Sequence, residues 1–159
     1  MIDRDLAFTP AVALAQQIRN GDVSSKEVVS NSLSRIDEVN GELNCFCFVY
    51  GQQALEQAQN ADDAIGAGAA VGPLHGVPIA IKDFTPVAGR LTPRGSKIHQ
   101  TWEPEADPPL VSRLSAAGAI LVGKTTTPEF AYSGFTRSPL WGQTTNPWNT
   151  KHSPGGSSG

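Results

Sequence analysis

The sequence predicts an α/β fold in which a mixed, largely parallel sheet is covered by helices. Two apolar segments of strand length, 77–82 and 119–122, flank a stretch whose apolar residues repeat at helical spacing. A strand–helix–strand unit crosses over in the right-handed sense, which makes its two strands parallel members of one sheet. A chain of 159 residues has the length of one domain and can bury a substantial core.

The first 70 residues indicate a mainly helical opening. The pair Thr9-Pro10 is a helix-start signal, and Gly21 ends the apolar stripe that follows it. Ser24 and Glu27 have the spacing of a capping box at the start of a second helix. The predicted elements of this part are helices over 10–20, 24–40 and 52–65 and a strand over 45–50.

Residues 71–159 are predicted to hold most of the sheet. Between the strands 77–82 and 119–122, a loop over 84–106 is followed by a helix that begins at Asp107-Pro108 and ends at Gly118. Thr127, Pro128 and Glu129 indicate a short helix. The rest of the chain, from residue 133, is predicted to form an irregular wall around a pocket, with three aromatic side chains buried in it: Phe135, Trp141 and Trp148.

Composition argues against a polyanionic or membrane partner. The chain has 12 basic and 15 acidic residues, for a formal net charge of −3, so it offers no electrostatic attraction for nucleic acid or an anionic membrane. No apolar run approaches the roughly 20 residues of a membrane helix, and the charged start at 1–5 is unlike a signal peptide. We therefore expect a cytoplasmic protein that acts on a small molecule.

The cysteines and histidines do not have the spacing of a metal site. Cys45 and Cys47 are two residues apart in a predicted strand, which is poor geometry for a disulfide, so we expect free, buried thiols. The histidines at 75, 99 and 152 are widely scattered. The sequence thus predicts neither a metal nor a cofactor.

Lys82 is the first candidate for chemistry. It ends an apolar strand, and a lysine desolvated there has its ammonium form disfavoured, which favours a neutral amine able to act as a base. Asp83 would face the opposite side of an extended segment and need not hold that amine charged. The alternative is a lysine that extends its amine into solvent at the end of the strand.

The segment 152–159 is the second candidate, because two serines lie there in a frame of glycine and proline. A serine on such a bent backbone is a possible nucleophile or proton relay; the alternative is a frayed glycine- and serine-rich tail. Residues 155–159 also match the pattern G-x-S-x-G of a hydrolase nucleophile elbow. That interpretation fails because no apolar strand precedes the serine and no Asp or His partner follows it.

Four ordered blocks of this sequence closely resemble the amidase signature family. They are GPLHGVPIAIKD at 72–83, GKTTTPEFA at 123–131, TNPWN at 145–149 and SPGGSSG at 153–159. The resemblance extends over about 9–159 and implies the amidase signature fold. It further implies that residues 1–159 are the N-terminal part of a single domain, with a helical opening at 1–70 and the sheet and catalytic motifs at 71–159. Thr126 departs from the asparagine that many relatives carry.

The family hydrolyses amides, or transfers their ammonia, through a Ser–Ser–Lys arrangement. The resemblance implies that Lys82 is the base and that Ser157, which follows a cis peptide bond, relays the proton. It also implies that the catalytic loop is supported by Gly155, Gly156 and Ser158, and that Ala131 and Ser133 line the substrate pocket. The family's attacking serine and oxyanion hole belong to a later block, so we expect this chain alone to be inactive.

Two other functions stay open at this point. Within the same family, the alternative is the A subunit of a glutamyl- or aspartyl-tRNA amidotransferase, which releases ammonia from glutamine. In a different class, it would be a non-catalytic remnant or binding domain. Because a sheet cut partway exposes an edge and an apolar face, we expect either a homodimer or a second chain that carries the rest of the domain.

Overall fold

The computed structural model describes residues 2–159 and confirms the α/β fold class. Its helices are α1 (Arg4–Phe8), α2 (Ala11–Asn20), α3 (Ser25–Leu43), α4 (Gly51–Gly66) and α5 (Pro109–Ala116). Its strands are β1 (Phe46–Val49), β2 (Pro78–Lys82), β3 (Ile120–Thr125), β4 (Arg137–Ser138) and β5 (Gly142–Gln143). Two 3₁₀ helices cover Lys97–His99 and Glu129–Ala131.

The main sheet is mixed and has the strand order β1-β3-β2. Strand β1 pairs with β3 in the antiparallel sense, with Phe48 opposite Lys124. Between β2 and β3 the hydrogen bonds advance in the same direction along both chains, from Ile120 N to Val77 O and from Asp83 N to Thr125 O, each 2.8 Å. This is parallel pairing, as the strand–helix–strand pattern predicted. Strands β4 and β5 form a separate antiparallel pair.

The chain divides into two compact units, and each is built from discontinuous segments. The first unit consists of the described residues up to Ile36, together with Tyr50–Ile79 and Ser112–Val122. Its core is apolar and centres on a cluster of Leu14, Ala15, Ile18, Val28 and Val77. This cluster explains why the predicted apolar stripe of α2 and the first turn of α3 form stable helices, since their apolar faces are buried together.

The first turn of α3 is fixed by two sets of hydrogen bonds within the first unit. The predicted capping box is confirmed, because Ser24 N donates to Glu27 Oε2 at 2.9 Å and Glu27 N donates to Ser24 Oγ at 3.1 Å. Asp62 of α4 accepts hydrogen bonds from Ser25 N at 2.6 Å and Lys26 N at 3.1 Å. A carboxylate at this end of a helix satisfies free N–H groups and interacts favourably with the helix dipole.

The second unit consists of Asp37–Val49, Ala80–Val111 and Gly123–Gly159, and its buried residues have a different character. Most of the buried polar side chains among residues 2–159 belong to it, including those of Asp83, Thr92, Lys124, Thr136 and Thr144. Hydrogen bonds therefore hold together its long irregular segments, 84–106 and 133–159.

The expected burial of aromatic side chains after residue 133 is wrong for two of the three. Phe135 is 66% exposed and Trp148 is 95% exposed. Trp141, in contrast, packs edge-on against Phe48 with ring centroids 5.2 Å apart. The physical reason is that the segment is held by main-chain and hydroxyl hydrogen bonds, such as Thr144 N to Thr136 O at 2.9 Å, and does not need the aromatic rings as a core.

No helix formed by residues 2–159 is both long enough and apolar enough to cross a membrane.

Gly76 provides a test of packing in the first unit. Its φ is +77°, and a Cβ added there would overlap Ser25 Oγ. Gly76→Ala is expected to lower the free energy of unfolding by about 2–4 kcal/mol, from left-handed backbone strain plus overpacking. The measurement is urea-induced unfolding followed by circular dichroism.

Gly68→Ala is the matched control. Gly68 has a similar φ of +69°, but an added Cβ would meet nothing within 4 Å. Its cost should be limited to about 1 kcal/mol of backbone strain. Equal losses of unfolding free energy in the two variants would mean that the overlap of the new Cβ with Ser25 adds nothing to the cost of Gly76→Ala.

Candidate active site

The site is centred on Lys82 and Ser157, which lie 75 residues apart in sequence and both belong to the second unit. Lys82 is the last residue of β2 and is partly buried. Its Nζ lies 2.6 Å from Ser157 Oγ. The structure thus brings together the lysine and the serine that the sequence singles out.

Ser157 is held by a loop that is packed in place. The main-chain oxygen of Gly155 accepts hydrogen bonds from Thr136 N at 3.0 Å and Thr136 Oγ1 at 3.2 Å. Gly156 has no room for a side chain, because a Cβ there would lie 3.0 Å from both Gly134 O and Thr136 Oγ1. The Gly156–Ser157 peptide bond is cis. These contacts argue against a frayed tail at 155–159.

Burial lowers the pKa of Lys82 below its usual value, because desolvation disfavours the ammonium form. The sign matters for chemistry: a lower pKa leaves a larger neutral fraction of the amine near neutral pH. An ammonium donates a hydrogen bond to Ser157 Oγ, whereas a neutral amine can accept the hydroxyl proton across the same short contact. The pair is therefore geometrically and electrostatically suited to move a proton.

Asp83 is the residue after Lys82 and is fully buried. Its Oδ2 accepts hydrogen bonds from Gly95 N at 3.0 Å and Trp141 Nε1 at 2.9 Å. Its Oδ1 lies 3.6 Å from Nζ of Lys124, which is also fully buried. Lys124 Nζ donates in addition to Thr92 Oγ1 at 2.6 Å and Leu91 O at 3.2 Å.

The structure places the other predicted site residues as follows. Ser133 lines a cavity of about 300 Å³ with Tyr132, Phe135, Arg137, Gln143 and Ser153. Ala131 is not part of that lining, and both it and Phe130 have left-handed backbone conformations, with φ of +57° and +51°. Ser158 is exposed, and its hydroxyl has no hydrogen bond to any other residue in 2–159. The substrate-binding roles of Ala131 and Ser133 and the supporting role of Ser158 stay predictions.

The cysteines are free thiols, as predicted, and both are partly buried. Burial raises the pKa of Cys45 and raises that of Cys47 far above its usual value, with the charge of Asp83 as a second cause for Cys47. Both therefore lack the thiolate character of a nucleophile at neutral pH. Residues 2–159 contain no group of three or more His, Cys, Asp or Glu side chains that could hold a metal ion.

Comparison with known proteins identifies the family to which the sequence of this chain is similar. A sequence profile of the amidase family matches residues 27–159, which is most of the chain. The chain belongs to the amidase family. The resemblance in the four sequence blocks is thereby confirmed.

Individual amidase-family relatives are similar over nearly the whole chain. The A subunit of the glutamyl-tRNA(Gln) amidotransferase from Synechococcus sp. (strain CC9605) is 44% identical over 156 residues, which is 98% of this chain and 31% of that protein. A peptide amidase from Stenotrophomonas maltophilia matches with a TM-score of 0.86 and 34% identity, over 96% of this chain and 32% of its own. A fatty acid amide hydrolase matches with a TM-score of 0.92 and 29% identity, over 97% and 27%. The chain thus spans about a third of the length of these amidase-family relatives.

Sequence reasoning missed the side chains that surround Asp83. Trp141 was noted only as an aromatic residue, and Thr136 was not singled out, although its hydrogen bonds fix the serine loop. One available signal was Lys124, a lysine that follows the fully apolar run 119–122 after a single glycine. A charged side chain at a buried strand position requires a buried partner of opposite charge.

Trp141→Phe tests whether the buried carboxylate depends on its indole donor. The substitution removes the Nε1–H that donates to Asp83, so we expect a loss of about 1–3 kcal/mol in unfolding free energy. Denaturant unfolding of the two proteins measures this. Trp148→Phe is the matched control, because that ring is 95% exposed, and it should change stability by less than about 0.5 kcal/mol. Equal effects of the two substitutions would contradict the role given to the indole N–H.

Proposed function

We propose that this protein forms part of an enzyme that hydrolyses a small carboxamide, with Lys82 as the base and Ser157 as the proton relay. The observation that carries the proposal is the 2.6 Å contact between Lys82 Nζ and Ser157 Oγ. It occurs in a chain of the amidase family, at a lysine whose pKa is lowered by burial. This arrangement is a base and a hydroxyl within hydrogen-bond reach, as proton transfer requires.

In the proposed reaction, neutral Lys82 accepts the proton of Ser157 as Ser157 accepts the proton of an attacking serine hydroxyl. The attack forms a tetrahedral intermediate at the amide carbon. Its collapse breaks the C–N bond, and the same relay returns a proton to the departing nitrogen. Water then releases the acyl group by the same relay. The resemblance places the attacking serine and the oxyanion donors in a block outside 1–159. We therefore also propose that residues 1–159 alone are inactive.

The proposal extends to substrate and partners. A small linear carboxamide is the proposed substrate, and the formal net charge of −3 supports a reaction without nucleic acid or membrane as partner. We also propose a cytoplasmic location. A homodimer, or a second chain that carries the rest of the domain, would cover the sheet edge left open by the three-stranded order.

Lys82→Ala and Ser157→Ala, introduced into an amidase-active protein that contains this chain, test the two roles. Each should reduce kcat by about 10²–10⁴-fold, because each interrupts proton transfer to and from the reacting groups. The double variant should lose little more than either single one, since the two residues act as one relay. The measurement is steady-state ammonia release from an aliphatic or aryl amide.

Exposed residues of the same types supply the controls for this test. Lys97→Ala and Ser115→Ala should keep near wild-type turnover, because both side chains are exposed. Near wild-type turnover in Lys82→Ala or Ser157→Ala would overturn the assigned roles.

A second candidate function is the A subunit of a tRNA-dependent amidotransferase. It is favoured by the 44% identity to the Synechococcus protein of that name. If it holds, a protein containing this chain should release ammonia from free glutamine when partner subunits are present, and Lys82→Ala should abolish that release. Cleavage of simple amides with no release from glutamine, with or without co-purified subunits, would favour the hydrolase instead.

A further inference from the structure

The hydroxyl of Thr136 forms hydrogen bonds to the main chain on both sides of Ser157. Thr136 Oγ1 donates to Gly155 O at 3.2 Å, two residues before the serine. The same oxygen accepts a hydrogen bond from Gly159 N at 3.4 Å, two residues after it. A hydroxyl has one proton to donate and lone pairs with which to accept, so it can make both bonds at once. The two ends of the segment 155–159 are thereby tied to one atom.

The middle of the segment also packs against this hydroxyl. A Cβ added at Gly156 would lie 3.0 Å from Thr136 Oγ1, which is closer than ordinary van der Waals contact. Only glycine allows the main chain to pass the hydroxyl at this distance. The residue directly before Ser157 is therefore held against Thr136 as well.

Thr136 is itself fixed by burial and by main-chain hydrogen bonds. It is 1% exposed, and its O accepts from Thr144 N at 2.9 Å. Thr136 directly precedes β4 and Thr144 directly follows β5, so this bond joins the ends of the strand pair. A buried β-branched side chain has few accessible rotamers, and the hydroxyl therefore keeps one direction.

The hydroxyl does something that the main chain of Thr136 does not do. Thr136 N also donates to Gly155 O, at 3.0 Å, but this bond holds the segment only before Ser157. The bond from Gly159 N holds it after Ser157, and that bond requires the side-chain oxygen. The direction of the Ser157 side chain depends on both halves of the segment. Proton transfer requires Ser157 Oγ to stay within hydrogen-bond reach of Lys82 Nζ, which is 2.6 Å away.

We propose that Thr136 is a positioning residue for Ser157: its hydroxyl ties residues 155 and 159 together and so holds Ser157 Oγ at hydrogen-bond distance from Lys82 Nζ. The proposal rests on the relay role of Ser157 in the proposed function. It gives Thr136 no contact with the substrate and no part in moving the proton.

Thr136→Val and Thr136→Ser separate the hydroxyl from the shape of the side chain. Valine keeps the shape and removes both hydrogen bonds, whereas serine keeps the hydroxyl and removes a methyl group. In an amidase-active protein that contains this chain, Thr136→Val should lower kcat by about 10–100-fold, because a small displacement of a reacting group is costly. The ratio kcat/KM should fall by the same factor, since the lost contact is not one with the substrate. Thr136→Ser should keep most of the wild-type kcat. The measurement is steady-state ammonia release from an aliphatic amide.

Hydrogen exchange at the Gly159 amide tests the geometry without turnover. The amide is resolved by mass spectrometry with fragmentation of the peptide that contains residues 155–159. In Thr136→Val this amide has lost its acceptor, so its exchange should be about fivefold faster, as expected for one lost hydrogen bond. Thr136→Ser should exchange at the wild-type rate.

Thr127→Val is the matched control, because it removes a buried hydroxyl from the same unit. Thr127 is 1% exposed, and its Oγ1 donates to Pro128 O at 3.1 Å, away from the segment 155–159. This variant should keep near wild-type kcat and the wild-type exchange rate at Gly159.

Three results would overturn the proposal: wild-type kcat in folded Thr136→Val, wild-type exchange at Gly159 in that variant, or a loss of kcat in Thr136→Ser as large as that expected for valine. The serine variant decides even if the valine variant does not fold. Failure of the proposed function is a separate outcome, since a protein that cleaves no amide would still give these exchange rates.

Discussion

The carboxylate of Asp83 is the group on which the second unit depends. A fully buried carboxylate is stable only where donors and a counter-charge surround it, and here they come from three separate parts of the chain. Gly95 and Trp141 supply N–H donors, and Lys124 supplies the charge. Two long segments with little regular secondary structure are thereby held at defined positions against the end of β2.

The proposed site follows from the alternation of side chains along a strand. Asp83 is fully buried, whereas Lys82 is only partly buried and reaches Ser157. Asp83 therefore holds the end of the strand in place, whereas Lys82 places its amine next to Ser157. The serine loop is held independently, because Gly155 O accepts hydrogen bonds from Thr136 N and Thr136 Oγ1 and Gly156 packs closely against the same residue. The 2.6 Å contact is thus held on one side by strand β2 and on the other by this loop.

Local signals in the sequence predicted the local structure well. The capping box at Ser24, the apolar repeat of α2 and the strand runs all have short-range physical causes, and the structure contains them. The antiparallel pairing of β1 with β3 was not predicted, because it depends on hydrogen bonds between residues far apart in the sequence. The partners of Asp83 were not foreseen for the same reason. The short helix α1 and the pair β4–β5 are formed by local hydrogen bonds, but each is too short to give a periodic apolar pattern, so neither was predicted. The burial expected of Phe135 and Trp148 was wrong. The pairing of Lys82 with Ser157 was reached through the family resemblance, which carries long-range information that spacing lacks.

The contrast between the two sets of buried residues has a thermal consequence. Exposing apolar surface raises the heat capacity of unfolding, and exposing polar surface lowers it. The first unit buries mainly aliphatic side chains, and the second buries many hydroxyls and the Asp83–Lys124 pair. Cooling therefore weakens the core of the first unit more than that of the second. The part of the chain that holds Lys82 and Ser157 is therefore expected to contribute the smaller heat-capacity change on unfolding.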